Sequence, residues 1–375
     1  MVNEVALKDA VSYIRGITFK PSDLVTNGTK HSVVCMRTKN IQLSLDETDL
    51  ISVPESFVKR EEQKLRYGDI LISSANSWNL VGKCVFVHEL PYNATAGGFI
   101  SIVRSKKEKL YDRYLYHWLA SSKTQHYIRY CGRQTTNISN LSKDRFLDLK
   151  IPLPSIGEQK RIAAILDKAD AIRRKREKAI ELADEFLKSV FLDMFGDIPA
   201  KKSRYTFKHI RPYVKARSGK SSKNVISAKK TEIPIWGGNG VNGWALEPLY
   251  HEPVIVVGRV GQRCGITYLT EGPSWVTDNA IVIEIEDLNL LHPTYLEAAF
   301  RNSPIREQVK HLDLPFVNQS MLLDSPIPIP PLSEQKKYAL IKKKVLCMQK
   351  MQRRYASKTN RLFSALSQQA FRGDL

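Results

Sequence analysis

With 375 residues, the chain is longer than one ordinary core of about 100–200 residues requires, and its 42% hydrophobic share is enough to fill two. Its 58 Lys+Arg against 38 Asp+Glu leave a net charge of +20, which favours a polyanion partner, although a basic surface alone also serves RNA, an anionic membrane or solubility. The five cysteines at 35, 84, 131, 264 and 347 share no metal-ligand spacing, no two histidines stand three to five residues apart, and no apolar stretch approaches about 18 residues; a metal site, a disulfide framework and a membrane span are not expected.

The opening Met1-Val-Asn-Glu-Val has neither the charged nor the apolar region of a secretory leader, so a cytoplasmic protein is expected. Tyr67-Gly-Asp-Ile-Leu-Ile-Ser73 reads as a turn entering a buried strand, Gly82–Val87 as its hairpin partner and Phe99–Val103 as a further strand. Asp112 is placed to cap a helix carrying Tyr114, Leu115, Trp118 and Leu119 on one face. The polar, basic run through Arg129, Arg133, Gln134, Thr135 and Asn137 then reads as a loop.

At Ile151-Pro-Leu-Pro154 the chain turns extended, and Ser155-Ile-Gly-Glu158 fits a capping box opening a long helix. Ile162, Ile165, Ala169, Ile172, Arg176, Ala179, Ala183, Phe186 and Val190 follow at alternating spacings of three and four, a coiled-coil seam, and the segment closes on Gly196-Asp197. Between Ile198 and Thr231 there are eleven Lys/Arg and no acid, with Tyr205, Phe207, His209 and Tyr213 interleaved; Lys201, Lys202, Arg204 and Lys220 are candidate phosphate contacts. The earlier order of elements then returns, with strands at Pro253–Val257, Gly265–Leu269 and Ala280–Glu284 and a helix from Pro293.

The entry motif itself recurs at an offset of 176 residues: Leu147-Asp148, Ile151-Pro-Leu-Pro154 and Glu158-Gln-Lys160 return as Leu323-Asp324, Ile327-Pro-Ile-Pro330 and Glu334-Gln-Lys336, and the second copy ends on Gly373-Asp374. The seam recurs as Tyr338, Ile341, Val345, Met348, Gln352, Tyr355, Thr359, Leu362 and Leu366. The first helix carries acids and the second, acid-free from Gln335 to Gly373, only cations, so the two are expected to pair with each other. A pseudo-two-fold relation makes that pairing antiparallel, and 35 residues span roughly 50 Å at about 1.5 Å each, a rod on the scale of one DNA turn of about 35 Å. The predicted architecture is α+β: a globule over 1–154, a helix over 155–197, a second globule over 198–330 and a second helix over 331–375, with the helices paired as an antiparallel coiled coil.

Catalytic motifs are weak by comparison. Gly238-Asn-Gly240-Val-Asn-Gly243 fits a dinucleotide fingerprint, but Trp244-Ala-Leu-Glu-Pro248 after it is no helix, so a turn that lets Trp236 and Asn239 approach a partner is the better reading. The triplets Glu62-Gln-Lys64, Glu158-Gln-Lys160 and Glu334-Gln-Lys336 fit half of a nuclease metal site, but only the first has nearby acids, Asp46 and Asp49, and none has the remaining strand context; the single Pro330-Pro331 lacks the surroundings of an amino-methyltransferase turn, and there is no nucleophile elbow or phosphate loop. Neither a cofactor nor a catalytic residue is expected. Two polar loops look like readers of base edges: Ser74, Asn76, Ser77 and Trp78 in the first globule, Arg259, Gln262 and Arg263 at the corresponding place in the second. Arg133, Gln134 and Thr135 correspond in turn to Asn318 and Gln319, each group preceding its Pro-rich helix entry.

The doubled Ile-Pro-x-Pro and Glu-Gln entry, Tyr67-Gly-Asp-Ile-Leu-Ile-Ser, Ile235-Trp-Gly-Gly-Asn-Gly-Val-Asn-Gly-Trp and the Gly-Asp endings resemble the specificity subunit of type I restriction-modification systems over nearly the whole chain. The resemblance implies two tandem target recognition domains, each reading half of a bipartite site in double-stranded DNA, with the helices setting the spacer. It also implies two methylation subunits bound to this chain, and motor-nuclease subunits joining through that methylation core and supplying ATP-driven cleavage. Two other readings stand beside it: a basic coiled-coil RNA-binding or scaffold protein, and a self-sufficient nuclease or methyltransferase.

Overall fold

In a computed structural model, which describes residues 3–134, 138–261, 263–309 and 314–374 with the backbone alone at 133 and 134, the chain divides into two compact units. Residues 1–176 and 354–375 make the first, 177–353 the second, so each long helix contributes a segment to both.

The first unit is built on a four-stranded antiparallel sheet in the order Val11–Arg15, Ile100–Ser105, Ile70–Ser73, Cys84–Phe86. Successive side chains on a strand point to opposite faces, and here both faces are covered, which is why Ile-Leu-Ile reads as an unbroken apolar run. Ile70 and Ile72 meet Tyr114, Leu115, Leu119, Ile162 and Leu166 on the helical side. Leu71 meets Met36, Ala94 and Ala96 of a second sheet, ordered Ile51–Pro54, Ser32–Met36, Ala94–Ala96 with the last pair parallel.

The second unit has the same strand order in its main sheet: Val214–Ser218, Ala280–Ile285, Ile255–Gly258, Thr267–Leu269. Ile255 and Val257 face Tyr295, Leu296 and Phe191, while Val256 faces Val254, Val276 and Val282. Its second sheet also ends in a parallel pair, Pro234–Gly237 with Trp275–Val276.

The doubled entry motif has a physical job. Lys150–Pro152 pairs with Glu4–Ala6, and Pro326–Pro328 with Phe207–His209, two-strand ribbons in which prolines displace no sheet interior. Tyr114 donates its hydroxyl proton to the Pro152 carbonyl at 2.9 Å, and Tyr295 does the same to Pro328. The glutamine of each Glu-Gln-Lys is fully buried. Gln159 accepts from the Tyr111 N–H (2.9 Å) and donates to the Lys109 (3.1 Å) and Pro154 (2.9 Å) carbonyls. Gln335 accepts from the His292 N–H and donates to the Leu290 and Pro330 carbonyls, all at 2.8 Å. One amide thus ties the loop before the globule's helix to the start of the long helix. At the far ends Gly196 and Gly373 take φ of +88° and +84°, and a Cβ on Gly196 would stand 2.0 Å from the Lys202 carbonyl oxygen.

The long helices run Ile156–Phe195 and Leu332–Ala370. In the first unit Ala163 and Leu166 share a core with Phe363, Leu366 and Ala370, and in the second Phe191 meets Tyr338 with ring centroids 5.7 Å apart. Within each unit, then, the early part of one helix packs on the late part of the other.

Several expectations need correction. Three of the nine predicted seam positions in each helix are exposed, Ile172, Ala179 and Phe186 in the first and Met348, Tyr355 and Leu362 in the second; Ile172 (49% exposed), Phe186 (51%), Met348 (63%) and Leu362 (58%) are displaced by their successors Arg173, Leu187, Gln349 and Phe363, which take the more sheltered positions. Spacings of four-then-three and three-then-four fit a heptad equally well, and where Arg173 or Gln349 faces inward an apolar count selects the wrong neighbour. Among the described residues the ion pairs of the first helix's acids stay within that helix or go to the globule, Glu158 with Arg161, Asp170 with Arg173 and Arg174, Asp167 with Arg113 and His117, while Asp184 meets the second helix by accepting from the Gln349 amide at 2.9 Å. Ser155 accepts from the Glu158 N–H at 3.3 Å, but Glu158 turns to Arg161, so only half of a capping box forms. Asp112 is the first residue inside the helix Asp112–Ala120, not its cap; it is buried, accepts from Ser105 and fills the space left by Gly68. Of the predicted loop, Arg129 belongs to a helix, Ser122–Tyr130, and Arg133 and Gln134 to a strand, Gly132–Gln134, while Thr135 and Asn137 lie outside the described residues.

Candidate nucleic-acid interface

In the first unit the two candidate reader segments lie on one ribbon. Ala75–Asn76 leaves the main sheet and pairs with Ser139–Leu141, which pairs on its other edge with Gly132–Gln134. Ser74 is fixed on both sides, its N–H donating to the Phe99 carbonyl (2.9 Å) and its carbonyl accepting from Leu141 (2.8 Å). The Asn76 amide bonds locally, to the Ser73 hydroxyl and the Ser77 N–H, while Ser77 is exposed. Trp78 is half-buried against Tyr130. Thr135 and Asn137 lie outside the described residues, as do the side chains of Arg133 and Gln134.

The second unit brings its two segments together by another route. Val317 donates to the Arg259 carbonyl (2.8 Å), Gly261 to the Pro315 carbonyl (3.0 Å), and Val260 bridges Phe316. Ser218, Arg259, Ile281, Asn318, Gln319 and Ser320 line a cavity of about 320 Å³. Arg259 and Arg263 are exposed; Gln262 lies outside the described residues. Asn318 caps the short helix Gln319–Leu323 by accepting from the Met321 N–H at 2.9 Å. Gln319, in the amide orientation its surroundings favour, donates to the Ala216 carbonyl and accepts from Ser218, both at 3.3 Å. These two amides therefore shape the cavity wall, and the guanidinium of Arg259 is the stronger candidate for a base edge.

Gly238 and Asn239 form the turn of the hairpin Pro234–Gly237 and Gly240–Ala245, which replaces any dinucleotide loop. A Cβ on Gly238 would meet the Gly258 Cα at 3.3 Å, so the absence of a side chain lets this turn lie on the Arg259 strand end and carry exposed Asn239 there. The Trp236 indole lies against Tyr268, and its buried N–H has no hydrogen-bond partner among the described residues.

The basic block is partly neutralised: Lys215 pairs with Glu286, Arg217 with Glu284 and Arg211 with Asp324. Lys201 and Lys202 are exposed on the turn after the first long helix, with Arg204 over the Tyr205 ring, and among the described residues no hydrogen bond joins them to the reader segments. Lys220 is closer to the cavity, two residues beyond Ser218, its backbone held by Val276 and by the Trp275 indole. Ser218 carries no mark in the sequence beyond its position, whereas Ser320 closes the polar stretch Val317-Asn-Gln-Ser320. Among the described residues there is no cluster of metal-ligating side chains, and no helix is long and apolar enough to cross a membrane.

Two α+β units of like strand order thus each present a pair of polar segments fixed by backbone bonds. The profile of the type I restriction modification DNA specificity domain matches residues 2–182 and again 196–347, and the chain belongs to this family. It is 31% identical over 183 residues to the type I restriction enzyme EcoKI specificity subunit of Escherichia coli K12, a match covering 47% of this chain and 39% of that one. Over the same length and shares it is 32% identical to the StySPI specificity subunit of Salmonella potsdam. The match thus spans about two fifths of the length of these curated relatives. The fold is that of the type I restriction-modification S subunit from M. genitalium, with a TM-score of 0.66 at 16% identity over 99% of this chain and 96% of that one.

Proposed function

We propose that this chain is the sequence-reading subunit of a type I restriction-modification complex, non-catalytic in itself and acting in the cytoplasm. The observation that supports the reading is the convergence, in each unit, of two polar segments predicted separately as readers: Ser74–Trp78 with the backbone of Arg133 and Gln134, and Arg259 and Arg263 with Asn318 and Gln319. Each unit reads one half of a bipartite duplex site, and the two long helices, an antiparallel coiled coil relating the units by a pseudo-two-fold axis, set the spacer between the halves. Globules 1–154 and 198–330 are the target recognition domains, 155–197 and 331–375 the spacer helices. Two methylation subunits dock on the chain and motor-nuclease subunits join through them, so that methylation, translocation and cleavage are theirs.

Methylation-sensitive sequencing of a host with and without the chain tests this: one bipartite motif is expected to lose its modification when the chain is removed. Inserting seven residues at facing positions of both helices keeps the heptad and adds about 10 Å, so the spacer should lengthen by about three base pairs with both half-sites intact. An unchanged spacer refutes the ruler. Arg259→Ala should relax one position of the second unit's half-site, at a cost of about 1–3 kcal/mol, and leave the first half-site untouched; a uniform loss over all sequences would make Arg259 a phosphate contact instead.

A further inference from the structure

The first unit carries a cluster of rings that extends its first reader segment beyond Trp78. Tyr130 stands 5.6 Å from Trp78 at 90° and 4.8 Å from His126 at 60°, and Tyr127 lies beside His126 on the same helix, Ser122–Tyr130. None of these pairs is stacked face to face. Tyr130 is 62% exposed, with Tyr127 and Leu80 also exposed around it. Single exposed rings are ordinary, but a contiguous group is the usual mark of a binding surface.

Two observations say what covers it. The first is charge: there is no acid from Ile70 to His88 or from Arg113 to Lys143, the two stretches that supply the cluster, while Lys83, Lys123, Arg129 and Lys143 lie in them. The second is continuity with the candidate interface. Trp78 comes two residues after the strand Ala75–Asn76 and Tyr130 two residues before Gly132–Gln134, the two outer strands of the reader ribbon, so both edges of the ribbon run into the same ring pair. Cationic surroundings with open aromatic rings are the composition that takes unstacked nucleobases.

We infer that Trp78, Tyr130 and His126 form a stacking platform for a nucleobase drawn out of the duplex beside the half-site that the first unit reads. The inference rests on the DNA-reading function proposed above. Drawing out a base costs stacking and pairing, which the platform returns in part, so sequences that open easily at that step bind better without any base-edge contact.

The test uses the full chain with the methylation subunits assigned to it, on duplexes containing the motif found by sequencing, with 2-aminopurine moved one position at a time through the first unit's half-site and its flanks. One position is expected to change its fluorescence several-fold on binding. Tyr130→Ala should abolish that change and weaken binding about ten-fold while the methylated motif stays the same, and Tyr130→Phe should keep both. Because the side chain is exposed, neither substitution threatens the core. No fluorescent change at any position in the unaltered protein, or Tyr130→Ala binding within two-fold, overturns the platform. If the chain directs no sequence-specific methylation, the reading function fails separately, and a mixed-sequence single strand then judges the platform: tighter binding by the unaltered chain than by Tyr130→Ala supports it, equal binding refutes it. A larger effect of Tyr130→Ala on polyglutamate than on DNA assigns the surface to an acidic protein and also overturns the inference.

Discussion

Gln335→Ala is expected to lower the stability of the second unit by about 2–4 kcal/mol and leave the first unit unchanged. The substitution removes three hydrogen bonds at once and strands the His292 N–H and the Leu290 and Pro330 carbonyls in a site where Gln335 has no exposure. Orphaned buried groups cost more than the net worth of the bonds they made, so the loss exceeds a simple cavity. Two units need not melt together, and hydrogen exchange at the amides of 290–296 against those of 109–115 is the right measure. Gln335→Glu adds a check on the mechanism. The carboxylate can still accept from His292 but faces two carbonyls it cannot serve, so its pKa rises on folding. A raised folded pKa means that the penalty is present above it and is relieved as pH falls and the acid gains a proton to donate. Lys336→Ala, one residue away and exposed, should stay within about 0.5 kcal/mol of the parent. If Gln335→Ala matched that control, the clamp would carry no weight in the fold.

The glutamine shows how far the sequence could be read. Glu-Gln-Lys at a fixed offset from Ile-Pro-x-Pro announced two equivalent helix entries, because proline and a helix start constrain the backbone locally. What the glutamine held was invisible, since its partners at 109–111 and 290–292 are 43 to 50 residues away. The main strands were legible where both faces are buried, as at Ile70–Ser73 and Ile255–Gly258. The reader segments were located but their chemistry was only half legible. Asn76 and Asn318 are short amides beside free backbone N–H groups, and such side chains bond locally before they reach outward. Tyr130 went unremarked because its ring partners come from a loop and a helix some fifty residues apart.

The largest single-residue loss in the second unit's helix contact is expected from Lys342→Met, at about 3 kcal/mol, and it should be reversed by a second change. Glu297 is 1% exposed and pairs with Lys342, whose side chain is 11% exposed; Arg301 at 2.6 Å and the Thr267 hydroxyl at 3.2 Å complete its shell. Removing the ammonium leaves a carboxylate in the core with only Arg301, itself largely exposed, to follow it. The chain contains its own apolar version of this junction. With Tyr114 aligned on Tyr295 and the long helices on their 176-residue offset, Glu297 corresponds to Tyr116 and Lys342 to Leu166, which share the first unit's core. Glu297→Tyr with Lys342→Leu should therefore restore most of the stability that either change alone removes, because both charges leave together and no buried ion is orphaned. A double-mutant cycle read by denaturant unfolding measures this, and additive losses would contradict it. The same cycle says what the pair is for. If the apolar double variant is as stable as the parent, burying Glu297 and Lys342 adds no stability, and what remains is discrimination: a charged junction in one unit and an apolar one in the other keep each stretch of the second helix from settling on the wrong globule.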